Sequence, residues 1–424
     1  MIFLITNSSI FAKKDTALKY NHCDSYLPGE NHISIALIFF ENLHRLIYHF
    51  HLFPDKVRPA VMKSINSIIL CFLHDLGHSL YECPSCNNFT FVWHTCKSRF
   101  CNSCGMKYAK NRSHNILQKV FDCSHRHCVF TIPEELRDYF REDRSLLDVL
   151  FLSVNQTLSF VIHKAGNIND SLIPCAVLVL HTFGRPLNWN PHIHVLLAEG
   201  GLRKCGSFKK LSYINYASLR RSFMKQLLDN LSSHIDTIEF KQLKRSLYKD
   251  YPDGFYVFSP PSKYKDVKDC ADYVIRYVGR PVMAQSRILD YNYDMDHVLW
   301  YYEDHESGER VDVYDSCVSF MKKLILHIPD KNYRMIRYIG GYATKKQKLA
   351  NMIRKMVHSS QSWILKKAND YRQYRMDTTG IDPLLCSCGC EMEFVDCYFP
   401  PGIQEKVNEK WKFPRFKYDP LQVY

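Results

Sequence analysis

From residue 127 onward the hydrophobic positions change period in a regular way. HCVFTI (127–132) is a short apolar run of strand type. Pro133 then opens a long stretch, PEELRDYFREDRSLLDVLFLSVNQTLSFVIHKA, with helical spacing and with Glu134 and Glu135 beside its positive N-terminal end. IPCAVLVLHTF (173–183) and HIHVLLA (192–198) read as two strands joined by the turn-rich GRPLNWNP. YASLRRSFMKQLLDNL (216–231) sets Leu219, Phe223 and Leu227 four apart on one helical face. GFYVFSP (254–260) is a further strand, and VKDCADYVIRYVGRP (267–281) a helix that ends at Gly279 and Pro281. This β-α-β-β-α-β-α order predicts an α+β fold: an antiparallel sheet with helices on one face.

The flanks are less regular. Residues 1–40 are weakly patterned, and 41–80 carry helical apolar spacing. Residues 81–113 form a basic, cysteine-rich segment. Past the central block, VLWYYEDHESGERVDVY (298–314) reads as a hairpin turning at Ser307 and Gly308, followed by a helix near 315–327 and a strongly basic tail. The expected division is an ill-defined segment 1–55, a zinc-binding DNA-contact module 56–115, a catalytic domain 120–285 and a basic extension 286–424. No internal repeat is visible.

Composition narrows the classes. No run reaches 18 consecutive apolar residues, so a globular chain that does not cross a membrane is expected. The opening MIFLITNSSIFAKK lacks a basic n-region and a long apolar core, so no signal peptide is expected. The net charge of +13 points to a polyanionic partner, most often nucleic acid. The 27 tyrosines add stacking surfaces compatible with single strands. The 17 cysteines are odd in number and partly in tight pairs, which fits reduced thiols and metal sites in a cytoplasm better than disulfides.

Three constellations can carry chemistry. Cys83-x-x-Cys86 and Cys101-x-x-Cys104 are two knuckles whose four thiolates can close a tetrahedron around structural Zn²⁺. Nearby Cys71, His78, His94 and Cys96 can supply a second site, replace ligands in the first, or be inert. Lys97, Arg99, Lys107, Lys110 and Arg112 surround the knuckles and suit phosphate contact. In WNPHIHVLLAEGG, His192 and His194 point to the same side of a strand, because side chains alternate faces. His181 ends the preceding strand, and pairing of the two strands as a hairpin would bring it beside them. Three neutral imidazoles leave open positions on a divalent ion, which can polarise a phosphodiester. Tyr273-x-x-x-Tyr277 puts two hydroxyls on one helical face about 6 Å apart. A tyrosine hydroxyl can attack a phosphodiester, and Arg276 and Arg280 can grip phosphate. Tyr338 and Tyr342 share that spacing but bracket Gly340 and Gly341, which disfavours a helix there.

Taken together and in order, these pieces resemble a bacterial insertion-sequence transposase of the two-tyrosine HUH class, the rolling-circle type related to the common-region elements. The segments are CPSC…HTCKSRFCNSC, VFTIPEELR with NQTLSFV, LHTFGRPLNWNPHIHVLLAEGG, YVIRYVGRP, YEDHESGERVDV, LILHIPDKNYRMIRYIGGYA and DPLLCSCGCEM, spanning roughly residues 60–400. The resemblance implies an RRM-like HUH nuclease domain. It implies Mg²⁺ or Mn²⁺ on His192 and His194, with His181 chosen here as third ligand. It implies Tyr273 and Tyr277 as nucleophiles: one cleaves donor single-stranded DNA at an element end and keeps a 5′-phosphotyrosine, and the other takes the target strand. A bacterial cytoplasmic, nucleoid-associated protein follows. Two departures stand out. Cys386-x-Cys388-x-Cys390 is tighter than the family's Cys-x-x-Cys-Gly, which argues against a C-terminal zinc site, and the first 55 residues look unlike the family. The rivals are an HUH replication initiator or relaxase, and a non-catalytic zinc-dependent DNA-binding regulator that treats the histidines and tyrosines as packing.

Overall fold

The computed structural model describes residues 33–260, 281–343 and 382–400 together with Arg372 and Met376, except for 53–56, 73–74, 118, 122, 167–171, 204, 213 and 305–306. Two helices come first, α1 (Ile35–Leu52) and α2 (Pro59–Phe72). A hairpin, β1 (His78–Glu82) and β2 (Phe89–Trp93), leads to α3 (Asn102–Leu117). Then follow β3 (His125–Thr131), α4 (Arg137–Glu142), α5 (Leu146–Ala165), β4 (Ile173–Phe183), β5 (Trp189–Leu202) and β6 (Phe208–Lys210). The chain continues through α6 (Tyr216–Ser232), α7 (Ile238–Asp250) and β7 (Val257–Phe258). The remaining described elements are β8 (Ile288–Asn292), β9 (His297–Glu303), β10 (Arg310–Asp315), α8 (Cys317–Ile325), β11 (Ile336–Gly340) and β12 (Glu393–Tyr398).

The largest sheet runs β11-β4-β5-β3-β7, with β6 also on β5, and all its pairings are antiparallel. Alternation sorts the side chains of its central strands. Cys128 and Phe130, Ala176, Leu178 and Leu180, and Ile193, Val195 and Leu197 enter one core with α5 and α6. Helix α5 buries Leu147, Leu150, Val154, Leu158, Val161 and Ile162, a three-and-four spacing that lays one stripe on the sheet. It is also the one described helix long and apolar enough to cross a membrane, but most of it is covered by this core. Leu219, Phe223 and Leu227 of α6 are fully buried against it, as their spacing predicts. Asn230 ties the two helices together by donating to Ser153 Oγ (2.9 Å) and Gln156 Oε1 (2.7 Å).

The long helix expected from Pro133 is broken. A 3₁₀ turn, Glu134–Leu136, runs into α4, whose C-cap Asp143 is extended (φ −115°, ψ 100°). The Asp143 carboxylate accepts the Ser145 N–H at 2.9 Å, so a side-chain turn interrupts the helical ladder before α5 starts. The strand expected over 254–260 shrinks to the two residues of β7.

The opposite face of the sheet has its own apolar patch: Cys175, Val177, Val179, Leu196, Ala198 and Leu202, covered by Ile116, Val120, Phe121 and Tyr342. Strand β11, not foreseen as a strand, ends in Gly340 at φ +57°, where a Cβ would strike the Pro174 carbonyl oxygen. Tyr342 turns inward beyond it and its hydroxyl meets His125 Nε2 at 2.7 Å. The Tyr338 and Tyr342 pair is therefore partly structural.

A second core gathers α1, α2 and α8 over the sheet β10-β9-β8, around Phe39, Ile65, Trp300 and Phe320. A third sheet, β12-β1-β2, joins the N-terminal hairpin to a strand from near the other end of the chain. The cores thus cut across the sequential boundaries expected from the sequence. Residues 35–72 pack with 282–328, and β1 pairs with β12.

Candidate functional site

The histidine pair sits where period two puts it. His192 and His194 lie on the face of β5 opposite the helix core, and His181 of β4 is the register partner of His192. Ligand nitrogens of His181, His192 and His194 all lie within 4.8 Å of one another. His181 and His194 are buried, while His192 is half-buried and marks the accessible side.

The hydrogen bonds set the tautomers. His192 Nδ1 donates to the Asn190 carbonyl at 2.7 Å, so its Nε2 carries the lone pair. That Nε2 lies 3.1 Å from His194 Nε2. Two imidazole nitrogens this close are well arranged when both direct lone pairs at one cation. His194 Nδ1 lies 3.0 Å from Nε2 of His127 on the neighbouring strand β3. Burial, and then the nearby His192, push the His127 pKa down to about 4. At neutral pH His127 is therefore uncharged and can accept the His194 Nδ1–H, which would leave the His194 Nε2 lone pair able to face a cation. His127 was not singled out from the sequence; its only signal is strand parity, which needs the β3–β5 register.

The hairpin carrying these histidines is held at its tip. Arg185 donates to the carbonyls of Glu303 (2.8 Å) and Asp304 (3.0 Å), and Arg287 donates to the Arg185 carbonyl (2.9 Å). Buried His327 donates from Nε2 to the Leu187 carbonyl at 3.0 Å and pairs through Nδ1 with the Thr182 hydroxyl at 3.1 Å. Burial pushes its pKa down to about 4. Leu187 itself is in the left-handed region (φ 62°), where its side chain is buried in the second core. Thus the lobe built by β8, β9, β10 and α8 clamps the turn between β4 and β5.

The cysteines sort differently from the spacing argument. The two knuckles do not share a site. Cys101 and Cys104 join Cys71 and Cys96, whereas Cys83 and Cys86 join Cys386 and Cys388. The reason is local: Cys83 follows β1 in its hairpin turn, while Cys101 just precedes α3 and Cys104 lies in its first turn, both packed beside Ile68 of α2. Sulfur–sulfur distances are 3.8 Å for Cys71–Cys104 and 3.5 Å for Cys96–Cys104. Within this group the Cys104 thiol is driven down in pKa by Cys101, then Cys71 and Cys96, while Cys96 and Cys101 are driven up. A tetrahedral zinc ion fits that donor set.

His78 and His94 belong to neither thiol cluster. His78 packs among Phe91, Trp93 and Tyr398, with centroids 4.9, 5.2 and 5.4 Å away. His94 Nε2 meets Ser79 Oγ at 3.1 Å and Cys397 Sγ at 3.5 Å. Among the basic residues of this region, Arg112 is exposed over the Tyr108 ring at 5.1 Å, and Arg99 is drawn inward near the same ring. Tyr273, Tyr277, Arg276 and Arg280 lie outside the described residues.

Comparisons with known proteins converge on one family. A family model described as "Putative transposase" matches residues 175–349, the span holding the three histidines and both tyrosines. A second, described as "Transposase zinc-binding domain", matches residues 39–132. The transposase of insertion sequence element IS801 from Pseudomonas savastanoi pv. phaseolicola is 29% identical over 301 residues, covering 68% of this chain and 72% of that protein. A protein named putative transposase y4qJ from Sinorhizobium fredii is 24% identical over 311 residues, covering 69% and 77%. No solved structure gives a significant match. Two transposase models in tandem, and relatives aligned over most of their length, lead to one conclusion: the chain is similar to insertion-sequence transposases of the IS91 type, and a stretch on its N-terminal side matches their zinc-binding domain.

Proposed function

We propose that this transposase cuts and rejoins single-stranded DNA through tyrosyl intermediates, on an RRM-like HUH nuclease domain. The observation that carries the reading is the convergence of His181, His192 and His194 on one face of the sheet, with their ligand nitrogens within 4.8 Å. The strand order supports it. In chain order β3, β4, β5 and β7 are the four strands of a β-α-β-β-α-β unit, and they lie side by side as β4-β5-β3-β7, the second, third, first and fourth.

His181, His192 and His194 would hold a divalent ion, Mg²⁺ or Mn²⁺, which when bound polarises the scissile phosphate. The chain's own residues do the rest. The Tyr273 or Tyr277 hydroxyl attacks phosphorus, a new tyrosyl O–P bond forms, the P–O3′ bond breaks, and the proton lost by tyrosine balances the one gained by the 3′-oxygen. The phosphotyrosine conserves the bond energy, so rejoining to a 3′-hydroxyl needs no ATP. A second tyrosine four residues along the chain would let one site hold two strands. Arg276 and Arg280 flank the tyrosines and suit phosphate binding. DNA ends of the element and a target strand are the partners, and the bacterial cytoplasm is where they meet.

The test is covalent capture. Labelled single-stranded oligonucleotides spanning the element ends are incubated with the protein and Mg²⁺ or Mn²⁺ and run on a denaturing gel. A metal-dependent adduct is expected, lost in the Tyr273→Phe/Tyr277→Phe double variant and in His192→Ala/His194→Ala. Salt-sensitive binding without an adduct on any end sequence would reject the reading and leave a DNA-binding regulator.

A further inference from the structure

We propose that a structural zinc ion on Cys83, Cys86, Cys386 and Cys388 clasps the C-terminal strand β12 onto the N-terminal hairpin. This site is separate from the Cys71, Cys96, Cys101 and Cys104 cluster and does not rest on the nuclease reading. Both residues 386 and 388 fall outside the matched zinc-binding model, which stops at 132.

The sulfur geometry comes first. Cys83 Sγ lies 3.5 Å from Cys388 Sγ, Cys86 Sγ lies 3.4 Å from Cys386 Sγ, and all four sulfurs fall within 4.8 Å of one another. All four cysteines are free. A disulfide would need about 2.05 Å. Four thiolates about 2.3 Å from a tetrahedral zinc sit about 3.8 Å apart. The observed spacing belongs to the second case.

The backbone on both sides is shaped for ligation. Cys83 N–H donates to the Asn88 carbonyl (2.8 Å) and Asn87 N–H to the Cys83 carbonyl (3.0 Å), with Asn87 in the left-handed region at φ 55°. On the other side Cys386 N–H donates to the Cys390 carbonyl and Gly389 N–H to the Cys386 carbonyl, both at 2.9 Å, with Gly389 at φ +87°. That tight turn lets Cys386 and Cys388 both reach the site despite their Cys-x-Cys spacing. Asn88 Nδ2 also donates to Cys386 Sγ at 3.7 Å, the outer contact a zinc-bound thiolate accepts. Cys390 stays outside the group.

Burial is the second argument. Cys83 and Cys386 are buried, but Cys86 and Cys388 are exposed. Hydrophobic collapse does not draw exposed thiols together, and four thiolates would repel one another, so an ion explains the gathering. The pairs are 305 and 300 residues apart in the chain. Closing so long a loop is entropically costly, and a metal clip is the cross-link that gains most from it.

The test uses the full-length protein, purified under a phosphine reductant. Zinc is counted by elemental mass spectrometry, and each thiol is followed by alkylation and peptide mapping before and after a chelator. Exposed Cys205 is the internal reference for an unprotected thiol. Two zinc ions per chain are expected, with Cys83, Cys86, Cys386 and Cys388 protected as a set and released together by the chelator. Cys386→Ser/Cys388→Ser is expected to hold one zinc and to let Cys86 react at the Cys205 rate, while Cys390→Ser keeps two. In the unaltered protein, one zinc per chain, or Cys86 and Cys388 reacting as fast as Cys205, would overturn the proposal. So would protection that yields to stronger reductant and not to chelator, which would mean a disulfide.

Discussion

At the residue scale the proposed metal site has a neighbouring histidine that is not one of its three candidate ligands. His127 is neutral at physiological pH because burial holds its pKa near 4, and this lets it accept from His194. Removing such an outer partner weakens metal binding about 10–100-fold. His127→Ala is expected to lower Mn²⁺ affinity by that order in calorimetric titration while leaving far-ultraviolet dichroism unchanged; unaltered affinity would remove His127 from the site. His327 offers a pH test at the same scale. Its folded pKa, about 4, lies below the ordinary value of 6.5, so the unfolded chain takes up its proton first on acidification. Its stabilising contribution is complete above about pH 6.5 and is lost as pH falls from there toward 4, worth about 3 kcal/mol over that window. Denaturant melts between pH 7 and pH 4 should show this slope, and His327→Asn should flatten it.

At the element scale the central strands β4 and β5 were legible, whereas β11 and the shortness of β7 were not. Alternation placed His192 and His194 on one face correctly, because a two-residue period leaves no other choice once the strand exists. Helical spacing located α5, but it ran through the break at Asp143, where a side-chain turn outweighs the apolar stripe. The stripe itself carries the energy. Leu150 is fully buried between α5 and the sheet, so Leu150→Ala should cost about 2–5 kcal/mol in urea unfolding. Phe160, half exposed on the same helix, should cost much less on truncation. Equal losses at both positions would contradict the assigned face. The β4–β5 turn is held by carbonyl contacts from Arg185, Arg287 and His327. No spacing rule announces these, because their partners are backbone atoms brought close by a separate core.

At the scale of the whole molecule, charge and topology govern behaviour. A net charge of +13 predicts DNA binding driven by counterion release. The logarithm of the single-strand binding constant should fall linearly with the logarithm of salt concentration, with a slope of about −0.7 per phosphate neutralised. A flat dependence in fluorescence anisotropy would exclude a phosphate-dominated interface. Topology interleaves the chain's parts: α1 and α2 share a core with β8, β9, β10 and α8, and β1 lies between β2 and β12. The N-terminal and C-terminal segments are therefore expected to unfold with their distant partners.

Elements whose signals are local could be read from the chain alone. These include the apolar alternation of β4 and β5, the buried stripe of α6, the same-side placement of His192 and His194, and the family resemblance borne by ordered motifs. How the cysteines group depends on long-range packing, because a knuckle specifies two ligands and says nothing of the other two. Spacing joined Cys83 and Cys86 to Cys101 and Cys104, whereas sheet pairing and helix packing join one pair to Cys386 and Cys388 and the other to Cys71 and Cys96. The same holds for His127 and His327. Each acts through a partner dozens of residues away or more, and only strand register and core packing bring such partners within hydrogen-bond reach.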